Sequence, residues 1–195
     1  VWHNAIPRWM DAGAEPKEIE PLISRRIHYL LAEYPEIKTW NLYNEAVGAE
    51  KKFAKNNPIA NWLKSKGGPA AAQAWVSKIA HQTAPNRIYV NNHYSYKDPS
   101  FKKMNHKLVK LGAQIDAIGI QTHMHTTNSR LSQRELWQLL EDYKVFGKPI
   151  HLTEISVPSS PPFKSWRDFQ PHVEALKKAG SKKNRLAIAR KSDKK

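Results

Sequence analysis

Short apolar segments alternate with longer helix-like segments along almost the whole chain. The apolar segments are Ile37–Tyr43, Arg87–Asn91, Ile115–Thr122 and Pro149–Thr153. Each is long enough for a strand, and the intervals between them are long enough for helices. Repeated strand–helix units build parallel strands that are joined by crossover helices, so the sequence predicts an α/β fold.

Apolar residues at helical spacing predict the helices of these units. The predicted helices are Glu18–Glu33, Pro69–Thr83, Lys102–Leu111, Ser132–Phe146 and Trp166–Lys178. Pro69 suits a first helical turn, where the N–H that proline lacks has no helical partner in any case. Ser132 and Glu135 have the spacing of a capping box, in which each side chain bonds the other residue's backbone N–H.

Two architectures satisfy this alternation: an open doubly wound sheet and a (β/α)8 barrel. Neither common Gly-rich phosphate loop is present, which disfavours a nucleotide-binding sheet. Val1–His3 is interpreted as the end of one further strand, which makes four complete strands and part of a fifth. A complete barrel takes about 250 residues, whereas the chain has 195. We therefore predict an incomplete (β/α)8 TIM barrel over residues 1–180, which begins inside one strand and stops before the last.

The formal net charge of +15 raises the possibility of nucleic-acid binding. Just over half of the excess lies in Lys177–Lys195, which contains nine Lys or Arg and one Asp. We expect residues 181–195 to form a basic tail, as a loop or a disordered segment, and we expect no nucleic-acid partner. No apolar run approaches the roughly 20 residues that span a membrane, so no membrane partner is expected. The chain has no cysteine, which excludes disulfides and thiolate metal sites.

Polar residues collect where the predicted strands end. The strand ends carry Trp2-His3, Asn44-Glu45, Asn91-Asn92-His93-Tyr94, Gln121 with His123, and Thr153-Glu154. A single strand-terminal Glu is commonly a cap or a surface residue. Because the chemistry of a barrel takes place at the carboxyl ends of its strands, five such ends together predict a polar active site.

Two carboxylates at one face of a barrel suit glycoside hydrolysis, and Glu45 and Glu154 are the candidates. One carboxyl group protonates the leaving oxygen, while the other is an ionised nucleophile. Such a site also needs amide and imidazole groups to hold the nucleophile and the sugar hydroxyls. Asn44, Gln121 and His123 are of the required types.

Five segments resemble family ten of the glycoside hydrolases, the endo-β-1,4-xylanases. They are VWHNAIPRW, WNLYNEAV, IYVNNHY, IDAIGIQTHMH and KPIHLTEISV. In this order they are similar to the family's third to seventh strand segments, so the resemblance covers nearly the whole chain. WNLYNEAV, for example, is similar to W-D-V-V-N-E-A. The chain departs from the family pattern at Ala5, Asn41 and Asn92-His93-Tyr94, where Gln, Asp and Asp-Tyr-Asn are usual.

The resemblance implies a retaining endo-1,4-β-xylanase that uses a double-displacement mechanism. Glu45 would be the general acid/base and Glu154 the nucleophile. Asn44 would bind the sugar's 2-hydroxyl in the subsite where cleavage occurs. The implied substrate is xylan or a xylo-oligosaccharide, and neither a cofactor nor a metal is expected.

The same resemblance assigns four supporting residues. His123 would hold the nucleophile carboxylate, with Gln121 beside it, and Trp2 and His3 would line the same subsite. We further expect a monomer that is secreted or periplasmic.

Other functions are compatible with parts of the sequence. His123-Met124-His125 places two imidazoles near a strand end, as in some metal-dependent TIM-barrel hydrolases, although further ligands are not evident. A non-catalytic or inactive carbohydrate-binding barrel fragment is the main alternative, because an incomplete barrel leaves strand edges uncovered.

Overall fold

The fold is described from a computed structural model, which covers residues 1–7, 9–10, 14–52, 57–94, 98–157 and 163–178. The predicted basic tail, residues 181–195, lies outside the described residues. The strands are β1 (Thr39–Asn44), β2 (Ile88–His93), β3 (Ala117–His123) and β4 (Ile150–Ser156). The helices are α1 (Pro16–Glu33), α2 (Ala49–Lys52), α3 (Pro58–Ser65), α4 (Pro69–Thr83), α5 (Pro99–Lys110), α6 (Gln133–Lys144) and α7 (Trp166–Lys178), with a 3₁₀ turn at Thr127–Ser129. In this part of the chain, no helix is both long and apolar enough to cross a membrane.

The chain divides into two compact units. The first unit comprises Val1–Gln121 with Leu140–Thr153, and the second comprises Thr122–Leu139 with Glu154–Lys195. The boundary falls inside β3 and β4, so the last residues of both strands belong to the second unit. The single domain that we predict over residues 1–180 remains a prediction.

The sheet follows the order β1-β2-β3-β4. The strands pair in parallel between β1 and β2 and between β2 and β3, with helices in each connection. Strand order that follows chain order is the winding of a barrel, whereas an open doubly wound sheet reverses its order at a switch point. The predicted α/β alternation is therefore confirmed.

Val1 lies beside β1 without forming a regular strand. Its amino group donates to the carbonyl of Leu42, and its carbonyl accepts from the N–H of Asn44 at 2.9 Å. These two bonds are the pattern by which a neighbouring strand pairs. The interpretation of Val1–His3 as the end of a strand is thus correct in position, although the segment has no strand geometry.

The core of the first unit is built from helix faces that meet the sheet. On α1, the buried residues recur every four positions, at Ile19, Ile23, Ile27 and Leu31, which is the stripe expected for an amphipathic helix. In β3, Ile118 and Ile120 are fully buried. Burial of these side chains contributes to the hydrophobic stabilisation of this unit.

Helix α3 is an element that the sequence pattern did not predict. It begins after Asn57, whose side-chain oxygen accepts from the N–H of Ala60 at 2.9 Å, and Pro58 occupies its first turn. Both are ordinary start signals. The helix has only eight residues, too few for its periodicity to be evident, yet it buries Trp62 completely.

Candidate active site

Glu45 is the residue at which β1 stops. It directly follows Asn44, the last residue of the strand, and its backbone has φ of +56°, in the left-handed region. It is the one non-glycine residue with positive φ in the described ranges. Its N–H donates to the carbonyl of Asn92 on β2 at 3.0 Å. An unusual backbone conformation that is held by such a bond is a common feature of functional sites.

Both carboxylate oxygens of Glu45 accept hydrogen bonds. The indole Nε1 of Trp2 donates to Oε2 at 3.2 Å, and the side-chain amide of Gln121 donates to Oε1 at 3.1 Å. Trp2 is partly exposed, whereas Gln121 is buried. The position of the carboxyl group is therefore set from the protein side by two neutral donors.

A chain of amide hydrogen bonds connects Glu45 to the neighbouring strands. The amide of Gln121 also donates to Asn44 Oδ1 at 3.0 Å, and Asn92 donates to the same oxygen at 2.6 Å. Thr153 donates from its hydroxyl to Asn92 Oδ1. Because Asn44 uses its oxygen for these contacts, the hydrogen-bonding group that it can offer to a ligand is its NH₂.

Two buried histidines of this unit, His3 and His93, lie at predicted or observed strand ends. Burial lowers the pKa of His3, and the negative charge of Glu45 opposes that shift. The carbonyl of His3 accepts from the side-chain amide of Asn57 at 2.7 Å. Burial also lowers the pKa of His93 to about 4, and its Nδ1 accepts from the N–H of Tyr94 at 2.8 Å. Both rings are therefore expected to be neutral at neutral pH.

Glu154 and His123 form the second cluster, which lies within the second unit. The Nε2 of His123 is 3.0 Å from Glu154 Oε2, and its Nδ1 is 2.8 Å from the hydroxyl of Ser156. Because an ionised carboxylate can only accept, His123 donates its Nε2 proton to Glu154. Nδ1 can then accept the hydroxyl proton of Ser156. The imidazole thus holds the carboxylate of Glu154 in place.

The predicted site residues fall into these two clusters. In the first unit, hydrogen bonds join Trp2, Asn44, Glu45 and Gln121. His3 lies close enough to Glu45 for the charge of the carboxylate to affect its pKa. The second unit joins the remaining two predicted residues, His123 and Glu154.

Three further residues belong to the clusters and were not assigned a role from the sequence. Asn92 and Thr153 extend the amide chain, and Ser156 holds the far edge of the His123 ring. Asn92 and Thr153 lie in the polar ends of the predicted strands. Nothing in the local sequence indicated Ser156.

Comparison with known proteins identifies the family. The family model for glycosyl hydrolase family 10 matches residues 1–190. The chain belongs to glycosyl hydrolase family 10. Two curated relatives are endo-1,4-beta-xylanase A of Xylanibacter ruminicola, 29% identical over 93% of this chain, and a beta-1,4-xylanase of Dictyoglomus thermophilum, 27% identical over 80%. The match covers 53% and 44% of those relatives, so this family 10 chain spans about half their length.

Solved structures of the family show the same fold. A family 10 structure from Paenibacillus barcinonensis superposes with a TM-score of 0.68 at 18% identity, over 99% of this chain and 61% of that one. Xylanase 10B of Thermotoga maritima gives a TM-score of 0.63 at 24% identity, over 90% and 54%. These comparisons confirm the predicted fold class, an incomplete (β/α)8 barrel.

The paired histidines of this family 10 chain were the basis of the metal-dependent alternative. Among the residues that the structure describes, no group of three or more His, Asp or Glu could hold a metal ion. Both ring nitrogens of His123 are already engaged, by Glu154 and by Ser156. The geometry therefore gives the metal-dependent alternative no support.

Proposed function

We propose that the chain carries the catalytic residues of a retaining endo-1,4-β-xylanase. Glu45 is the general acid/base and Glu154 is the nucleophile. The observation that carries the proposal is that each carboxylate is held by its own donors. Glu45, directly after β1, accepts from Trp2 and Gln121, and Glu154, in the last three residues of β4, accepts from His123. The named xylanases among the relatives support xylan as the substrate.

The reaction proceeds in two steps. Glu154 attacks the anomeric carbon while Glu45 transfers its proton to the leaving glycosidic oxygen, which forms a covalent glycosyl–enzyme ester. Glu45, now ionised, takes a proton from water, and the water oxygen displaces Glu154. This mechanism requires the two carboxyl groups to be about 5–5.5 Å apart.

The environments of the two carboxyl groups suit different roles. Glu154 Oε2 accepts from an imidazole, which fixes the direction of the carboxylate that is to attack. Glu45 accepts from an indole and an amide, which fix its direction and can remain bonded in either protonation state. The NH₂ of Asn44, whose oxygen is occupied, is suited to bind a sugar hydroxyl acceptor.

Two measurements distinguish the acid/base from the nucleophile: the activity of each variant on substrates with different leaving groups, and the rescue of that activity by azide. An aryl xylobioside with a dinitrophenolate leaving group needs no proton donor, so Glu45→Ala should retain glycosylation of this substrate while losing xylan hydrolysis by orders of magnitude. Glu154→Ala should lose both activities. Azide should rescue Glu45→Ala with a β-xylosyl azide product and Glu154→Ala with an α-xylosyl azide product.

The azide products decide the assignment. Near-normal xylan hydrolysis by either variant, or the reverse pairing of azide stereochemistry, would contradict it. A matched control is Glu141→Ala, because Glu141 is exposed on α6 and pairs with Lys144 in the same helix. This control should leave both activities unchanged.

Carbohydrate binding without turnover is the second candidate function. It is favoured by exposed indole rings, since Trp9 is 70% exposed and Trp2 is partly exposed. Aromatic faces of this kind stack on sugar rings. Retention on insoluble xylan with no release of reducing sugar, by wild-type protein with intact Glu45 and Glu154, would favour it over the hydrolase.

We also propose that the protein is a monomer and is secreted or periplasmic, because polymeric xylan is met outside the cytoplasm. Light scattering of the purified chain tests the first statement. Fractionation of cells that express the gene from its own locus tests the second.

A further inference from the structure

A second histidine covers the ring that holds the candidate nucleophile. The rings of His123 and His125 are stacked, with centroids 5.0 Å apart and an angle of 15° between their planes. Side chains two residues apart in extended chain point to the same side, which brings the two rings together. His125 is partly buried in this position.

The contacts of His123 define what the stacked ring adds. The edges of the His123 ring are held by Glu154 at Nε2 and by Ser156 at Nδ1. Two bonds at the edges fix the ring within its plane but still permit it to tilt about the line that joins them. His125 lies against the face of the ring, and contact with a face is what resists such a tilt.

We infer that His125 is a positioning residue of the nucleophile: by stacking on His123 it keeps the Nε2–H of His123 directed at Glu154. This inference rests on the proposed role of Glu154 and extends it to a residue outside the predicted site. His125 acts through His123 and needs no contact with the substrate.

The charge state of His125 suits this role. Burial lowers the pKa of His125, and the neighbouring His123 lowers it further. A neutral His125 can stack on His123 whether or not His123 carries a proton on both nitrogens, whereas two imidazolium rings would repel each other. Glu154, at the edge of the His123 ring, is a titratable group that faces this pair.

The test compares two substitutions of one residue. His125→Ala removes the stacked ring, and His125→Phe replaces it with a ring that has no ionisable group. His106→Ala is the matched control, because His106 also packs against an aromatic ring, Phe146, with centroids 4.7 Å apart. All three are made in the full 195-residue chain, and thermal unfolding verifies that each is folded.

Two readouts are measured. The first is the ¹H resonance of the His123 Nε2 proton in protein with ¹⁵N-labelled histidine, which reports the bond to Glu154 directly. We expect this proton to exchange with water at least 10-fold faster in His125→Ala than in wild type, and at the wild-type rate in His125→Phe and His106→Ala. The second readout is hydrolysis of an aryl xylobioside, where His125→Ala should lower kcat about 10-fold with KM within 2-fold, because misplaced catalytic groups slow the chemical step.

The two readouts keep the inference separate from the proposed function. If Glu154→Ala hydrolyses xylan normally, the proposed function fails, and the exchange rate of the His123 proton still decides whether His125 positions that ring. An unchanged exchange rate in His125→Ala overturns the inference. Equal acceleration in His125→Phe and His125→Ala also overturns it, because the ring face would then not be what matters.

Discussion

Gly119 lies on β3 where the neighbouring strands leave no room for a side chain. A Cβ at this position would be 2.7 Å from Val90 Cγ1, 2.8 Å from Thr153 Cγ2 and 3.1 Å from the Cβ of Asn92. Two of these distances are shorter than real Cβ contacts, so Gly119→Ala requires the Val90 and Thr153 side chains, or the strands that carry them, to shift. Gly119 has no positive φ, and the expected effect is therefore purely one of packing.

The magnitude follows from two opposing contributions. Overpacking by one carbon in a filled core costs about 1–3 kcal/mol. Replacing Gly with Ala lowers the conformational entropy of the unfolded chain, which raises the free energy of unfolding by about 0.4–1 kcal/mol. With three close contacts we expect the upper part of the packing range, and thus a net loss of about 2 kcal/mol. For a chain of this size, that loss lowers Tm by about 4–8 °C.

The assay is a double-mutant cycle followed by thermal and urea unfolding. Val90→Ala removes the nearest atom, and Thr153→Ser removes the second while keeping the hydroxyl that bonds Asn92. In either background, Gly119→Ala should cost at least about 1 kcal/mol less than in wild type, since residues in contact couple by about 0.5–3 kcal/mol. The control is Gly67→Ala, where nothing lies within 4 Å of the added Cβ and the φ of +84° is the only obstacle.

An unchanged or raised Tm for Gly119→Ala would refute the reasoning. So would a cost that stays the same in the Val90→Ala and Thr153→Ser backgrounds, because the clash would then not be its source. The control variant, Gly67→Ala, should be destabilised through its backbone alone and should show no coupling to Val90.

Three further predictions concern the site and its support. Gln121→Met removes the donor to Asn44 and Glu45 while keeping a side chain of similar length. We expect kcat/KM on xylan to fall about 10–100-fold and the free energy of unfolding to fall by about 1–3 kcal/mol; a change in kcat/KM under 2-fold would contradict this. Asn57→Ala removes the cap of α3 and the donor to the carbonyl of His3, and should cost about 1–3 kcal/mol in urea unfolding. The pKa of His93 is about 4 in the folded protein, below the value of 6.5 for an unperturbed histidine. As the pH falls below 6.5, the unfolded state therefore takes up a proton that the folded state does not. The contribution of His93 to the free energy of unfolding is fully present above pH 6.5, and about 3 kcal/mol of it is lost by pH 4. His93→Gln should flatten that loss in urea titrations at pH 7.5 and 4.5, and an equally steep loss in the variant would exclude His93 as its cause.

The long helices and the strands could be predicted because burial of one face of an element imposes a regular spacing of apolar residues. The predicted helices Pro69–Thr83 and Trp166–Lys178 have the observed bounds, and the four predicted complete strands exist with ends moved by one to three residues. The further strand end predicted at Val1–His3 has no regular strand geometry. Helix α3 was missed because eight residues show too few turns of the pattern. Its start at Asn57-Pro58 was nevertheless present in the sequence as a capping signal.

The residue types of the site were predictable, but its contacts were not. Asn44 bonds Asn92 because the two residues are partners in the register of β1 and β2. That register shifts between Asn41 and Tyr43, where β1 is irregular. Such an irregularity moves every later side chain relative to the next strand, and the local sequence does not predict it. The amide chain from Thr153 to Glu45 depends on this shift.

The conformation of Glu45 explains why β1 ends where it does. A left-handed residue other than glycine costs about 1–2 kcal/mol, so a strand that merely ran into a surface loop would not require one here. The bonds from the backbone of Glu45 to Asn92 and from Trp2 and Gln121 to its carboxylate offset that cost. The backbone therefore leaves the extended region at the one position where doing so turns a carboxylate towards two fixed donors. Glu45→Gly removes the carboxylate and also the steric cost of a left-handed backbone at this position. We therefore expect a higher Tm for Glu45→Gly than for Glu45→Ala, and equal loss of xylan hydrolysis in the two variants.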